Sequence, residues 1–189
     1  MYKQTKYIIS EDDSWKDIIF IFDTSKKLSD EQIKDMPNNI LKKLIYIGFF
    51  NREELYRIAC NEIEYKRYER VKLILNNLEK ELDIDIENLL LLISSQETES
   101  VKLQSLLVYI LDKFKPDIRR NIYECVRIAI LNRNMLLITA YMKYLREQYN
   151  EKNVIKEALT RFIFICECIS EKEDLWDLLA YFRNQYNNI

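Results

Sequence analysis

TESVKLQSLLVYILDKFKPDIRRNIYECVRIAILNRN, residues 98–134, is the stretch that decides the fold. Val101, Leu103, Leu106, Leu107, Ile110, Leu111 and Phe114 recur at the spacing of an amphipathic helix, behind Thr98 as a cap. Pro116 ends that helix and opens the next, because it lacks an N–H and fixes φ. Ile118, Ile122, Cys125, Val126, Ile128 and Ala129 then make a second apolar stripe, closed by the polar break Asn132-Arg133-Asn134. Two helices joined by a short polar turn form one helical hairpin, and the rest of the chain repeats this grammar.

Working outward, Ser29-Asp30-Glu31-Gln32 has the form of a capping box, with serine placed to accept from the third helical N–H and glutamine to reach back. Pro37 suits the first turn of a helix to about Ile47, with Gly48 at its C-terminal end. Asn51 to Glu54 repeats the capping-box pattern before Leu55, Ile58 and Ala59, and Tyr65–Leu82 reads as one long amphipathic helix. Asp85 is a cap for the apolar run Leu89–Ile93, Asn150 or Asn153 for the segment ending at Ile169, and Ser170 to Glu173 for a last helix carrying Trp176, Leu179 and Phe182. Residues 1–35 are the irregular part. The run Ile18–Phe22 is apolar and β-favouring, but it has no partner strand elsewhere, so a helix from Ser14 into that run is expected.

Composition bounds the chemistry. The 189 residues hold one glycine and no histidine. A phosphate-binding loop or a dinucleotide fingerprint needs several glycines, a Ser-His-Asp constellation needs histidine, and histidine is the commonest metal ligand. The acidic clusters Glu11-Asp12-Asp13, Asp83-Asp85-Glu87 and Glu171-Glu173-Asp174 fall at expected helix starts, where carboxylates complement the helix dipole. The expectation is a protein without enzymatic activity, with no catalytic residue, cofactor or metal. Scarce glycine also predicts few tight turns.

Hydrophobic residues make up 48% and charged residues 32%, enough for a packed core. The net charge of −2 argues against nucleic acid as partner. The basic clusters Lys66, Arg67, Arg70, Lys72 and Lys113, Lys115, Arg119, Arg120 are interleaved with acids, as on a solvated face. The first ten residues do not have the form of a secretory leader, and apolar runs such as Leu89–Ile93 are far short of a membrane span. Cys60, Cys125, Cys166 and Cys168 lie in apolar segments, as buried reduced thiols do. A cytoplasmic, soluble, single-domain protein is expected over residues 1–189.

The expected hairpins pair residues 52–62 with 65–82, 86–95 with 99–114, 117–131 with 134–149 and 151–169 with 171–187. Their second helices start about 34–37 residues apart, within the range of stacked repeats. Val71–Leu75, Leu106–Ile110, Leu136–Ala140 and Leu175–Leu179 align as similar apolar cores. On these residues the chain resembles the tandem helical-hairpin families, ankyrin-like and HEAT-like, though it lacks the ankyrin Thr-Pro-Leu-His and Gly-His signatures. The fold class is all-α: antiparallel hairpins over residues 36–189, stacked as a short solenoid or packed as a bundle. Locally, Met36-Pro37-Asn38-Asn39-Ile40-Leu41 with Leu44, Leu55 and Cys60 resembles the opening of an F-box over residues 36–70, without its late tryptophan. That resemblance implies docking to an adaptor protein.

Thirteen tyrosines are the positive signal. Tyr65, Tyr68, Tyr141, Tyr144, Tyr149, Tyr181 and Tyr186 stand near charged residues, and tyrosine gives large contact area at low entropic cost. They are the candidate protein interface. The functional expectation is an immunity protein or inhibitor that covers a toxin or effector. A viral or bacterial host-interaction adaptor is the alternative, and a nucleic-acid-binding helical protein is less favoured. The Lys/Asn/Ile/Tyr-rich composition is similar to that of AT-rich accessory elements.

Overall fold

The computed structural model describes residues 28–78, 85–97, 99–116, 118–149, 151–170 and 175–189. The expected helix from Ser14 and the assignments at Thr98, Asn150 and Glu171 to Glu173 lie outside them. The protein is all-helical, with no strand among the described residues. In chain order the helices are α1 Asp30–Lys34, α2 Asn38–Tyr46, α3 Arg52–Glu64, α4 Tyr68–Asn76 and α5 Ile86–Ser94. They continue as α6 Val101–Phe114, α7 Ile118–Leu131, α8 Met135–Gln148, α9 Lys152–Ser170 and α10 Trp176–Asn187.

The chain divides into two compact units, Met1–Leu82 and Asp83–Ile189. In the first, α3 packs along α4, α1 lies on α3 and α2 lies on α4. In the second, α5–α6, α7–α8 and α9–α10 pair as hairpins, α7 sits between α5 and α9, and α6 lies on α8. Alternate helices side by side are the geometry of stacked hairpins. The helices stay in place because each buries one apolar stripe: Ile58, Ala59 and Ile63 of α3 meet a core shared with Val71, Ile74 and Leu75 of α4. In the second unit Leu103, Leu106, Leu107 and Ile110 do the same from α6, and Phe162 and Phe182 meet at 5.5 Å between α9 and α10. Each fully buried aliphatic side chain contributes about 1.5–3 kcal/mol.

Both capping boxes form. Ser29 Oγ accepts from Gln32 N–H at 3.3 Å, and Gln32 Oε1 accepts from Ser29 N–H at 2.9 Å. Asn51 and Glu54 exchange the same bonds at 2.9 and 3.0 Å. Asp85 caps α5 by accepting from Asn88 N–H at 2.9 Å. Pro37 precedes α2 as its N-cap rather than opening it. Ser170 ends α9, and the N-cap of α10 is Leu175.

Among the described residues three helices end in the same way, on a left-handed residue that need not be glycine. After α2, Gly48 takes φ 71°, its N–H bonds Ile45 O, and Phe49 N–H bonds Leu44 O. This pair of bonds is a Schellman cap, which requires a left-handed residue. After α3 the left-handed residue is Lys66 (φ 59°), with Lys66 N–H on Ile63 O and Arg67 N–H on Glu62 O. After α7 it is Arg133 (φ 52°), with Arg133 N–H on Ile130 O and Asn134 N–H on Ala129 O. Lysine and arginine thus occupy positions that favour glycine, at a conformational cost of about 1–2 kcal/mol each. Lys115, at φ 47°, ends α6 in the same region before Pro116. The Lys66 cap also corrects the expected helix over Tyr65–Leu82: Tyr65 to Arg67 is a turn, α4 starts at Tyr68, and Asn77 caps its end.

Candidate interaction surface

The seven tyrosines do not form one surface. Tyr141 is fully buried on α8, where its hydroxyl meets Ser94 Oγ of α5 at 2.8 Å. The Cys125 thiol of α7 hydrogen-bonds in the same group. Burial holds the Tyr141 hydroxyl well above its ordinary range and pushes the Cys125 thiol up to about 11, against the pull of the Tyr141 and Ser94 hydrogen bonds. Both groups are neutral at physiological pH, so the cluster is a polar tie between three helices, without an ionised nucleophile. Tyr144 is buried and donates to Pro116 O at 3.2 Å. Tyr68 is buried at the start of α4, and its hydroxyl is pushed up by desolvation. These three cannot lend area to a partner without unfolding their helices. Charges beside a tyrosine in sequence misled here, because on a helix residues i±1 point about 100° away.

The other four lie nearer solvent. Tyr65 is exposed on the α3–α4 turn, with Lys34 Nζ 4.7 Å and Arg67 Cζ 5.8 Å from its ring centre. Tyr186 is exposed on α10, with Lys156 Nζ at 5.6 Å. Tyr149 and Tyr181 are half-buried, and Tyr181 packs edge-on against Phe182 at 5.4 Å.

The most exposed apolar groups lie outside the seven tyrosines, and two of them, Val101 and Trp176, were expected on buried stripes. Tyr46 is 80% exposed at the end of α2, Val101 71% at the start of α6, Phe164 64% on α9 and Trp176 63% at the start of α10. Phe164 was legible from a helical wheel: Phe162 and Cys166 are buried, so the residue between them points outward. Trp176 was expected in the core with Leu179 and Phe182; they are buried and it is not. The same geometry corrects the cysteines. Cys125 and Cys166 are buried, Cys60 is half-buried, and Cys168, two residues on from Cys166, is exposed.

The first basic cluster is engaged inside the first unit. Arg70 is buried; its Nη2 donates to Ile33 O at 2.9 Å and lies 3.4 Å from Glu62 Oε1. Arg67 donates to Lys34 O and stands 4.0 Å from Glu62 Oε2. The two arginines therefore close the carbonyl end of α1 over a buried carboxylate. Burial pushes the Glu62 carboxyl up, opposed by Arg70 and then Arg67, and burial likewise lowers Arg70. Lys72 pairs with Glu69 at 3.4 Å. In the F-box-like segment, Ile40, Leu41 and Leu44 are fully buried in the unit's own core, so docking through them requires opening that core.

Among the described residues no group of three acidic or cysteine side chains gathers as metal ligands, and no helix is long and apolar enough to cross a membrane. No family model matches the chain, and neither a curated protein nor a solved structure matches it.

Proposed function

We propose that this chain is a non-enzymatic protein-binding protein, and that its role is to neutralise a toxin or effector by covering it. The observation that carries the reading is the set of large aromatic side chains left on the surface of stacked hairpins, Tyr46 and Tyr65 in the first unit and Phe164, Trp176 and Tyr186 in the second. Exposed aromatics anchor protein interfaces, and hairpin stacks present extended faces for them. A sequence without histidine and with one glycine supports the same reading, since it lacks the residues most enzymes use.

The test is co-expression with the product of the neighbouring gene, where that product arrests growth. Restored growth together with a co-purifying complex is expected, and Tyr46→Ala with Tyr65→Ala is expected to weaken the complex at unchanged helicity. An arrest that the chain does not relieve, with no complex formed, overturns the reading.

A further inference from the structure

We propose that α1 is a hinged strap, which swings off α3 and α4 about residues 35–37 while the rest of the first unit stays packed. Five residues are too few to hold a helix alone, and only Ile33 of α1 is buried. The other ties are polar and come from the elements beneath. Asp30 pairs with Arg57 of α3, and both side chains are about half exposed. Lys34 Nζ stands 4.7 Å from the Tyr65 ring centre. Arg67 donates to Lys34 O, and Arg70 Nη2 donates to Ile33 O at 2.9 Å. Water replaces such polar ties at little net cost, so one apolar side chain decides whether the strap is down.

What lies beneath favours opening. Glu62 Oε2 and Arg70 Nε are buried without a hydrogen-bond partner in the protein, although Arg67 stands 4.0 Å from that oxygen. A buried polar atom left unpaired carries a desolvation cost, and lifting α1 opens both atoms to water. The hinge is set by the chain itself. Asp35 N–H and Met36 N–H bond back to Glu31 O and Ile33 O, whereas Leu41 N–H bonds Pro37 O, so these bonds close on either side of the Met36–Pro37 link. Pro37, at φ −60° and without an N–H, cannot carry α1 on into α2. Ile40, Leu44, Ile58, Ile63, Val71 and Ile74 are buried in α2, α3 and α4 and remain a core when α1 lifts. Lifting also takes Lys34 from the Tyr65 ring and frees donors of Arg67 and Arg70, so the strap sets how much of this corner is presented. The inference does not rest on the neutralising role, because the strap is read on the free chain.

Native-state hydrogen exchange of the full chain tests this, together with peptide-mapped alkylation of the thiol in Ile33→Cys. The Ile33 and Asp35 amides, both hydrogen-bonded within the strap, are expected to exchange about 100-fold or more faster than the core amides of α3 and α4. Their exchange is expected to depend little on urea, because opening the strap exposes little surface. Alkylation of the Ile33→Cys thiol is expected to follow the α1 amides and not the core. Ile74→Val is expected to speed core exchange about fivefold while leaving the α1 amides unchanged, since strap opening does not pass through core unfolding. Exchange and alkylation of α1 that match the core in rate and urea dependence overturn the proposal. So does fast α1 exchange with a thiol that reacts only when the core opens, which is fraying with Ile33 still seated. An Ile74→Val effect of equal size on strap and core overturns it as well.

Discussion

The α3–α4 and α7–α8 turns solve one problem with different chemistry. Each has three residues, Tyr65-Lys66-Arg67 and Asn132-Arg133-Asn134. Each ends the first helix in a Schellman cap on a left-handed basic residue. Each also reaches back to the carbonyl end of the helix on which its hairpin stacks. In the first unit Arg67 and Arg70 satisfy Lys34 O and Ile33 O of α1; in the second, Asn132 Nδ2 donates to Ser94 O of α5 at 3.1 Å. The arginines need Glu62 beneath them as counter-charge, and Glu62 and Arg70 lose hydration. The asparagine needs no counter-ion, and the neighbouring Ser94–Tyr141 bond completes a neutral joint. Loose carbonyls at a helix end are a problem of geometry, and a guanidinium or an amide meets it equally. What differs is the penalty for removing one component.

The largest effect follows from that difference. Glu62→Ala is expected to destabilise the first unit by about 3–5 kcal/mol, because it strands a buried guanidinium. Native-state hydrogen exchange of α1 and α3 amides reads the loss. Glu62→Leu with Arg70→Met is expected to recover most of it, and equal damage from the single and double variants would break the argument. Next, Tyr141→Phe in the second unit is expected to cost about 1–2 kcal/mol in urea unfolding, since one buried neutral hydrogen bond is lost. A cost matching that of Glu62→Ala would erase the contrast between the two joints.

The pH dependence has opposite sign in the two units. Glu62 has its folded pKa raised above 4.5 by burial, so ionising it costs folding stability as pH rises from 4.5 through the raised value. Glu124 on α7 is held low, first by its hydrogen bond from Arg127, so its contribution is present above 4.5 and lost as pH falls through the lowered value. Relative to Glu62→Gln, wild type is expected to lose stability as pH rises above 4.5; relative to Glu124→Gln it is expected to lose stability as pH falls below 4.5. Parallel trends would refute the assignment.

The smallest effects sharpen what the turns share. Lys66→Gly and Arg133→Gly are each expected to raise stability by about 0.5–1 kcal/mol, because glycine takes positive φ without a Cβ penalty. Gly48→Ala is expected to lower it by about 1 kcal/mol. A Cβ at residue 48 meets nothing within 4 Å, so thermal unfolding of that variant isolates backbone strain from contact.

Most helix pairs were legible because apolar spacing and capping residues speak locally. Ser29, Asn51 and Asp85 cap as their side chains suggest, since an N-cap is a property of three or four consecutive residues. The α3–α4 turn was not legible. Lys66 carries no mark of its left-handed backbone, which is imposed by the packing of the helices on either side. The candidate surface was legible only in part. Tyr65 and Tyr186 are exposed, but Tyr141 is at the centre of its unit, and its partner Ser94 is 47 residues away in sequence. The Glu62–Arg70 pair was hidden in what looked like a solvated charge run, because only tertiary packing distinguishes a buried arginine from its exposed neighbours.

Asn134 closes α7 as the last residue of its Schellman cap and opens α8 by accepting from Leu137 N–H at 3.2 Å. One residue serving both helices locks their rotational phase. Adding a single residue between Leu131 and Met135 would separate the two caps that Asn134 joins, leaving either the Ala129 carbonyl or the Leu137 N–H without it. The hairpin is therefore rigid in register where it is shortest. Affinity tags, fluorophores and permuted termini belong elsewhere, and an insertion that survives at this turn must rebuild both caps.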